Sequence, residues 1–472
     1  MNRRDFLGSV AVGTAASVFT RSASAKAQPN VVFVFSDQWR AQATGYAGDP
    51  NVKTPHLDRL AASSLNLCNA ISGWPVCSPY RGSLLTGQYP HTHGVFLNDV
   101  PLNPDATSVA DVFSAEGYAT GYIGKWHVNG QGRSNFIPRE RRQGFDYWKV
   151  LECTHNYNAS DYFADRNELL RWEGYDAIAQ TRDAQAYIRD HAGKEPFALF
   201  LSWGPPHNPY ETAPSQYKDL YKPEDLVLRP NVPSDHEAGS RVDLAGYYAH
   251  CSALDQCAGD IWQTLRETGI EDNTIFVVTS DHGDMLGSQG QKRKQRPWDE
   301  SIRVPFLLHY PTRFGQIERK VDALINSLDL MPTLLGLCGL NIPDSVEGTD
   351  FTPYLTGEMQ TTDDDAALLA CYSPFGEWTR AQGGREFRGV RTRRHTYIRA
   401  LEGPWLLYDN ETDPHQLENL CNKPEIKEEQ ARLEGILQAK LAMAKDEFLP
   451  GSEYISKWGY VTDANGTVPY RG

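Results

Sequence analysis

The sequence predicts an α/β fold: a large, mixed, mostly parallel sheet sandwiched by helices, followed by a smaller C-terminal α+β unit that contains a short antiparallel sheet. Three observations predict it. Continuous β-branched and aromatic runs, such as PNVVFVFSD (29–37), read as strands buried on both faces. Amphipathic helical stretches separate those runs, and strands that alternate with helices pair in parallel under two helical layers. From about residue 371 the texture changes to closely spaced strand-like segments and one terminal amphipathic stretch.

Taken in order, 29–37 is the first strand and TPHLDRLAASS an amphipathic helix. CSPYRGSLLTG (77–87) is an apolar, helix-competent run closed by glycine, with a thiol, a turn-maker and a fixed cation at its start. TSVADVFSAEGYATGYIGKWH (107–127) reads as helix, glycine turn and strand, ending at Lys125 and His127. PFALFLSWGPPHNPY (196–210) is a buried strand that stops in a proline-rich loop carrying His207. A long helix from about Asp243 to Thr268 leads to NTIFVVTSDHGD (273–284), and IRVPFLLHYP and LINSLDLMPTLLGLCGL continue the alternation. TGEMQTTDDDAA (356–367) is a surface loop. REFRGVRTRRHTYIRALEGPWLLYD reads as antiparallel strands, and EIKEEQARLEGILQAKLAMAKDEF as the terminal helix. The expected organisation is 1–27, 28–370 and 371–472.

The first of these segments is an export signal. MNRRDFLGSVAVGTAASVFTRSASAKA has a charged start, an apolar run too short to span a bilayer, and small residues at Ala23, Ala25 and Ala27. The pair Arg3-Arg4 resembles the twin-arginine type, which exports folded proteins through its own translocase, so a periplasmic or secreted bacterial protein is expected. No later segment reads as a membrane span. With 46 Lys and Arg against 60 Asp and Glu the net charge is −14, which argues against nucleic acid or an anionic membrane as the main partner. An anionic substrate would need a local basic pocket. Eight cysteines without regular spacing do not make a disulfide framework, although one pair could be bridged after export.

In parallel sheets ligands bind beyond the carboxyl ends of the strands. Four predicted strand ends here deliver chemistry: Asp37, Lys125 with His127, His207, and Asp281 with His282. Asp37-Gln38 and Asp281-His282 offer carboxylate, amide and imidazole ligands, which suit calcium or magnesium and leave manganese or zinc possible. Arg81, Lys125 and Lys294, with His127 and His207, would cradle a tetrahedral oxyanion. The bland alternatives are a buried helix-start cysteine at 77, a surface turn at SDHGD, and a solvated charge run at QKRKQRP.

Together these residues resemble the sulfatase family of the alkaline-phosphatase superfamily. Its signature, Cys or Ser, any residue, Pro, any residue, Arg and a short run to Thr-Gly, is matched from Cys77 to Gly87. DQWRAQATGYAGDPNVKTPHLDRLA, GYIGKWH, SDHGDMLGSQG, WDESIRVP and LYDNETDPHQLENL resemble sulfatase segments in the expected order. The resemblance implies an alkaline-phosphatase-like fold. It also implies that a dedicated maturase, reading Pro79 and Arg81, oxidises Cys77 to formylglycine (3-oxoalanine), whose hydrated aldehyde is the nucleophile. Asp37, Gln38, Asp281 and His282 match the metal positions, with modified Cys77 a further ligand and calcium the first choice. Lys125, His127 and Lys294 match sulfate-binding and acid–base positions, and His207 the leaving-group histidine. Lys294 is preferred to Lys292 because it lies four residues before Trp298.

Many members carry Asp where this chain has Gln38 and Asn where it has His282. The Gln and His forms also occur in phosphonate monoester and choline-sulfate hydrolases. The resemblance thus implies removal of sulfate from an extracellular sulfated polysaccharide, with a phosphonate monoester or phosphodiester hydrolase as the alternative and a non-catalytic binding protein as a third reading. His155, in ECTHNYN, and Arg385 and Arg388, in EWTRAQGGREFRGVR, are the candidate sugar contacts.

Overall fold

The computed structural model describes residues 28–361 and 365–470, so the expected export signal lies outside the described residues, as do three positions of the acidic loop. Eight strands form the main sheet: β1 (Asn30–Asp37), β2 (Leu65–Leu67), β3 (Ala119–Lys125), β4 (Tyr147–Leu151), β7 (Phe197–Pro206), β8 (Thr274–Ser280), β9 (Phe306–His309) and β10 (Arg319–Val321). A two-stranded ribbon, β5 (Asp161–Tyr162) with β6 (Leu170–Arg171), lies outside it. The spatial order is β10-β2-β9-β8-β1-β7-β3-β4. All pairs are parallel except those of β9, which runs antiparallel to both β8 and β2. The expected mixed, mostly parallel sheet is therefore present.

Alternation along the central strands shows why both faces are covered. Val31, Phe33 and Phe35 of β1, Ala198 and Phe200 of β7, and Ile275 and Val277 of β8 enter one core. Val32 and Val34, Leu199 and Leu201, and Phe276 and Val278 enter the other. Successive side chains of a strand point to opposite faces, so an unbroken apolar run can exist only where both faces are dry. Helices Cys77–Thr86, Val109–Ala115 and Leu330–Cys338 supply Leu84, Phe113 and Leu334 to the first core. Helices Pro55–Ala61, Asp176–His191 and Glu237–Glu267 supply Leu60, Ile188 and Leu254 to the second. The last of these begins before the expected Asp243, at Glu237.

The C-terminal sheet is antiparallel, in the order β11 (Ala366–Cys371), β12 (Phe387–Thr392), β13 (His395–Ala400) and β14 (Gly403–Asp409). It begins slightly ahead of the expected change at 371. Helix Lys427–Ala444 packs Leu433, Leu437 and Leu441 on one of its faces. The other face meets the main body through Ile71, Ile302 and Leu324, and Arg391 of β12 pairs with buried Asp299 at 3.0 Å. All eight cysteines are free thiols, so no pair is bridged.

Candidate active site

Strands β8, β1, β7 and β3 are consecutive neighbours and all parallel, so their carboxyl ends lie side by side. Asp37 closes β1, Lys125 closes β3, His207 follows β7, and Asp281 and His282 follow β8. Cys77 comes to this edge from the first turn of its own helix. Val76 is extended ahead of it and Gly87, at φ 66°, ends it in the left-handed conformation. Pro79 sits in the first turn, where a backbone N–H has no helical partner to lose. Arg81 lies one turn after Cys77, hence on the same face.

At the centre, Cys77 Sγ is 3.3 Å from His282 Nε2, 3.5 Å from Asp37 Oδ1, 3.4 Å from Lys294 Nζ and 3.7 Å from Lys125 Nζ. Burial, then the Asp37 carboxylate, pushes this thiol up to about 12, so it is no ready thiolate nucleophile. Arg81 reaches Asp281 Oδ2 at 3.1 Å and is anchored on Ser202 Oγ and the Lys125 carbonyl, both at 2.7 Å. Lys125 Nζ is 2.5 Å from Asp37 Oδ2. Burial opposes ionisation at Asp37, but the Lys125 ammonium foremost, with Lys294, outweighs it and holds the carboxyl well below its usual range. Burial likewise works against charge on Lys294, while the Glu377 and Asp37 carboxylates near it leave its ammonium favoured.

The donor set fits a hard divalent cation. His282 Nδ1 lies 3.0 Å from the Gly283 carbonyl, to which it must donate, leaving a lone pair on Nε2. That lone pair faces Asp37 Oδ1 at 3.4 Å and Asp281 Oδ1 at 3.5 Å. Neutral imidazole and two carboxylates are then acceptors aimed at one another, an arrangement that a cation between them satisfies. Asp37, Cys77, Asp281 and His282 place their ligand atoms within 4.8 Å of one another, all buried. Sγ stands where the oxygens of an oxidised residue 77 would be. Gly283 is required because a Cβ there would meet the Glu300 carbonyl at 2.0 Å.

The structure thus brings together Asp37, Gln38, Cys77, Arg81, Lys125, His207, Asp281, His282 and Lys294. Lys292 instead points away and pairs with Asp243 at 2.9 Å. His207 accepts from Lys294 Nζ at Nε2 (2.7 Å) and donates from Nδ1 to the Asn208 carbonyl (2.9 Å). Burial and Lys294 hold its ring neutral. His155 stacks on His207, centroids 4.4 Å apart, and lines the pocket. His127, at φ 61°, lines it too, with Nε2 3.5 Å from Asp99 Oδ1. Left-handed backbone at a non-glycine residue is strain of the kind kept at functional sites.

Two candidates lie elsewhere. Arg388 is fully buried inside the C-terminal unit, paired with Asp446 at 2.5 Å and stacked on Tyr372 at 4.0 Å. Arg385 covers Trp405 at 4.4 Å. Neither lines the pocket. Full burial and the Asp446 pair account for Arg388, so the expectation that it contacts sugar is corrected, whereas Arg385 is half-buried and stays a proposed sugar contact.

The pocket above Cys77 holds about 240 Å³, and its rim includes residues that sequence reading missed: Asn98, Asp99, Arg133, Glu377, Thr467 and Tyr470. Asp99 holds Arg133 through two bonds of 2.8 and 2.7 Å, and Arg133 lies 3.7 Å over the Tyr470 ring. A larger cavity of about 580 Å³, between Phe351, Tyr354 and Met443, gathers no such chemistry.

The sulfatase family model matches residues 29–340, and the model for the C-terminal part of N-sulphoglucosamine sulphohydrolase matches 287–443. The chain is 46% identical to an ulvan-active sulfatase of Formosa agariphila, over 94% of this chain and 87% of that one. It is 32% identical to an endo-4-O-sulfatase of Bacteroides thetaiotaomicron, over 83% and 88%. A solved Bacteroides thetaiotaomicron 4S-sulfatase, from work on the metabolism of multiple glycosaminoglycans, superposes with a TM-score of 0.81 at 29% identity, covering 91% of this chain and 99% of that one. A phosphonate monoester hydrolase of Silicibacter pomeroyi shares the fold, with a TM-score of 0.75 at 23% identity, over 89% and 97%. With the signature cysteine seated among these ligands and cations, and the family match running across two thirds of its length, the chain belongs to the sulfatase family and is a sulfuric ester hydrolase.

Proposed function

We propose that this protein is an exported bacterial sulfatase that removes sulfate from a sulfated polysaccharide or its oligosaccharides, after a maturase has converted Cys77 to formylglycine. One observation carries the reading: residue 77 lies at the floor of a narrow polar pocket, touching two metal-type ligands and two lysines at once. The domains follow the same reading, with export signal 1–27, catalytic unit 28–370 and C-terminal unit 371–472.

Asp37, Gln38, Asp281 and His282 would hold the divalent cation, calcium by the oxygen-rich donor set. When bound, that ion supplies positive charge to the nucleophile and to the sulfuryl oxygens. Formylglycine, when hydrated, supplies one hydroxyl for attack and a second whose proton loss releases sulfate. The chain's own groups do the rest. Lys125 and Lys294 place ammonium groups 3.7 and 3.4 Å from the reacting side chain, where negative charge collects on a tetrahedral sulfuryl group. Arg81 donates to Asp281 Oδ2 and keeps that side chain turned to the site. Lys294 Nζ carries the proton and His207 Nε2 accepts it, so this pair can protonate the departing sugar oxygen. His127 turns Nε2 toward Asp99 and has Nδ1 left for a ligand oxygen. His155 stacks on His207 and faces the sugar. The rim leaves room for a saccharide beyond the sulfate.

The test pairs a mass spectrum of the Cys77 peptide with ion chromatography of released sulfate. The protein is produced with a maturase and supplied with calcium, and its substrates are ulvan, 4-O-sulfated glycosaminoglycans, a phosphonate monoester and a phosphodiester. Formylglycine together with sulfate release from a glycan is the expected result. Formylglycine with turnover of the phosphorus esters alone would sink the carbohydrate reading, and an unmodified thiol in active protein would sink the nucleophile.

A further inference from the structure

The glutamine at position 38 can be a metal ligand only through its oxygen, yet an amide side chain has two ends of nearly equal shape. Which end faces the site depends on what holds the other. Gln38 follows β1 with a left-handed φ of 74°, its N–H donating to Asp281 Oδ1 (3.0 Å) and its carbonyl accepting from Tyr247 (2.8 Å). The side chain is fully buried, and its Nε2 lies 2.6 Å from Asp284 Oδ2. Its Oε1 lies on the cation side, 3.1 Å from Lys294 Nζ.

Asp284 is itself fully buried, and it is not among the groups that converge on Cys77. Four donors occupy it. Oδ2 takes the Gln38 amide and the Tyr210 hydroxyl, and Oδ1 takes the backbone N–H of Leu286 (3.1 Å) and Arg293 (2.9 Å). Tyr210 is held in turn by the Arg293 guanidinium at 2.5 Å. A carboxylate so placed can only accept, so it selects the NH₂ end of the glutamine.

We infer that Asp284 is a positioning residue that fixes the Gln38 amide with its carbonyl oxygen toward the metal site, and that this carboxylate is why position 38 is a neutral amide and not an acid. The inference rests on the metal-site reading above. A carboxylate at 38 would set two buried anions 2.6 Å apart, where a donor and an acceptor now meet. Gln38 and Asp284 therefore act as a matched pair, and changing one alone spoils the other.

The experiment is isothermal titration of Ca²⁺ into purified mature protein, with melting temperature in EDTA as a check on folding. Asp281→Asn is the control, expected to abolish Ca²⁺ binding. Asp284→Asn frees the amide to turn and is expected to weaken Ca²⁺ binding about 10-fold, in the range typical of groups that orient ligands. Gln38→Glu, despite its added charge, is expected to bind Ca²⁺ no tighter than the wild type. The double variant Gln38→Glu/Asp284→Asn restores a donor opposite an acceptor and is expected to bind about 10-fold more tightly than Gln38→Glu alone, a non-additivity that a general loss of structure would not produce. Should Asp284→Asn fail to fold, Gln38→Glu carries the test. A tenfold gain in Ca²⁺ affinity for that single variant, or a double variant no better than it, or Asp284→Asn within about twofold of wild type, would overturn the positioning role while leaving the metal site intact. Unchanged Ca²⁺ binding in Asp281→Asn would overturn the metal-site reading, and the inference with it.

Discussion

Asp37, Cys77, Arg81 and Asp281, at the floor of the pocket, are each 1% exposed or less, and each is held by partners from other elements. At the rim the Glu377 side chain is 38% exposed and Tyr470 49% exposed. Floor residues stand at or just beyond the ends of four adjacent strands, or on a helix buried along its whole length. Rim residues come from loops and from the last segment of the chain, tied down by contacts such as the Gly376 N–H to the Asn465 carbonyl at 3.2 Å. The contrast separates two jobs. Charge stabilisation needs groups that do not rearrange as charge develops, and a sheet edge provides them. Choosing among glycans needs variable surface, and loops provide that.

The largest break in this comparison should come from the floor. Lys294→Ala removes one ammonium from beside residue 77 and the partner of His207 Nε2. kcat is expected to fall about 10³-fold with KM little changed, in the range for removing one transition-state donor. Steady-state kinetics on a small aryl sulfate and on polysaccharide would show the same loss. A rise in KM alone would place Lys294 in ground-state binding and blur the division between floor and rim.

Next in size is an arginine belonging to neither region. Arg388→Ala leaves Asp446 as a buried carboxylate that has lost its guanidinium. Breaking such a pair costs about 3–5 kcal/mol of stability. Denaturant unfolding should show that loss, while kcat and KM of the folded fraction stay unchanged. A higher KM at unchanged stability would return Arg388 to the substrate.

How legible each region was in sequence follows from the same contrast. Four strand ends were readable because strands buried on both faces must be continuous apolar runs, and the break in each run marks where chemistry begins. Cys77 with Arg81 was readable because a thiol, a proline and a fixed cation stand together in a run that matches a family signature from Cys77 to Gly87. Arg388 was misplaced because nothing local shows that its partner is Asp446, or that a guanidinium within β12 points inward. The antiparallel β9 and the three-residue strands β2 and β10 are too short to show a period. Asp284 stood in a quoted motif, but its role depends on the amide it faces across the sheet. Asp99, Arg133 and Tyr470 left no signal, since three distant segments meet only in the folded chain.

Tyr470 gives the smallest effect and the sharpest one. Its ring lies 3.7 Å from the Arg133 guanidinium, which Asp99 holds through two hydrogen bonds, so the C-terminal segment forms one wall of the pocket mouth. A half-exposed ring fixed by a cation offers a flat apolar face at the pocket mouth, on which a sugar can stack. A cation–π contact at such a site contributes about 0.5–1 kcal/mol. Tyr470→Ala removes that face and should raise KM for polysaccharide about 2- to 5-fold, a sugar stacked on it being worth a similar energy. kcat, and every constant for a small aryl sulfate that never reaches the rim, should stay within about twofold, because no floor residue touches Tyr470. An equal loss on both substrates would mean that the tail supports the floor, and that the two regions are one.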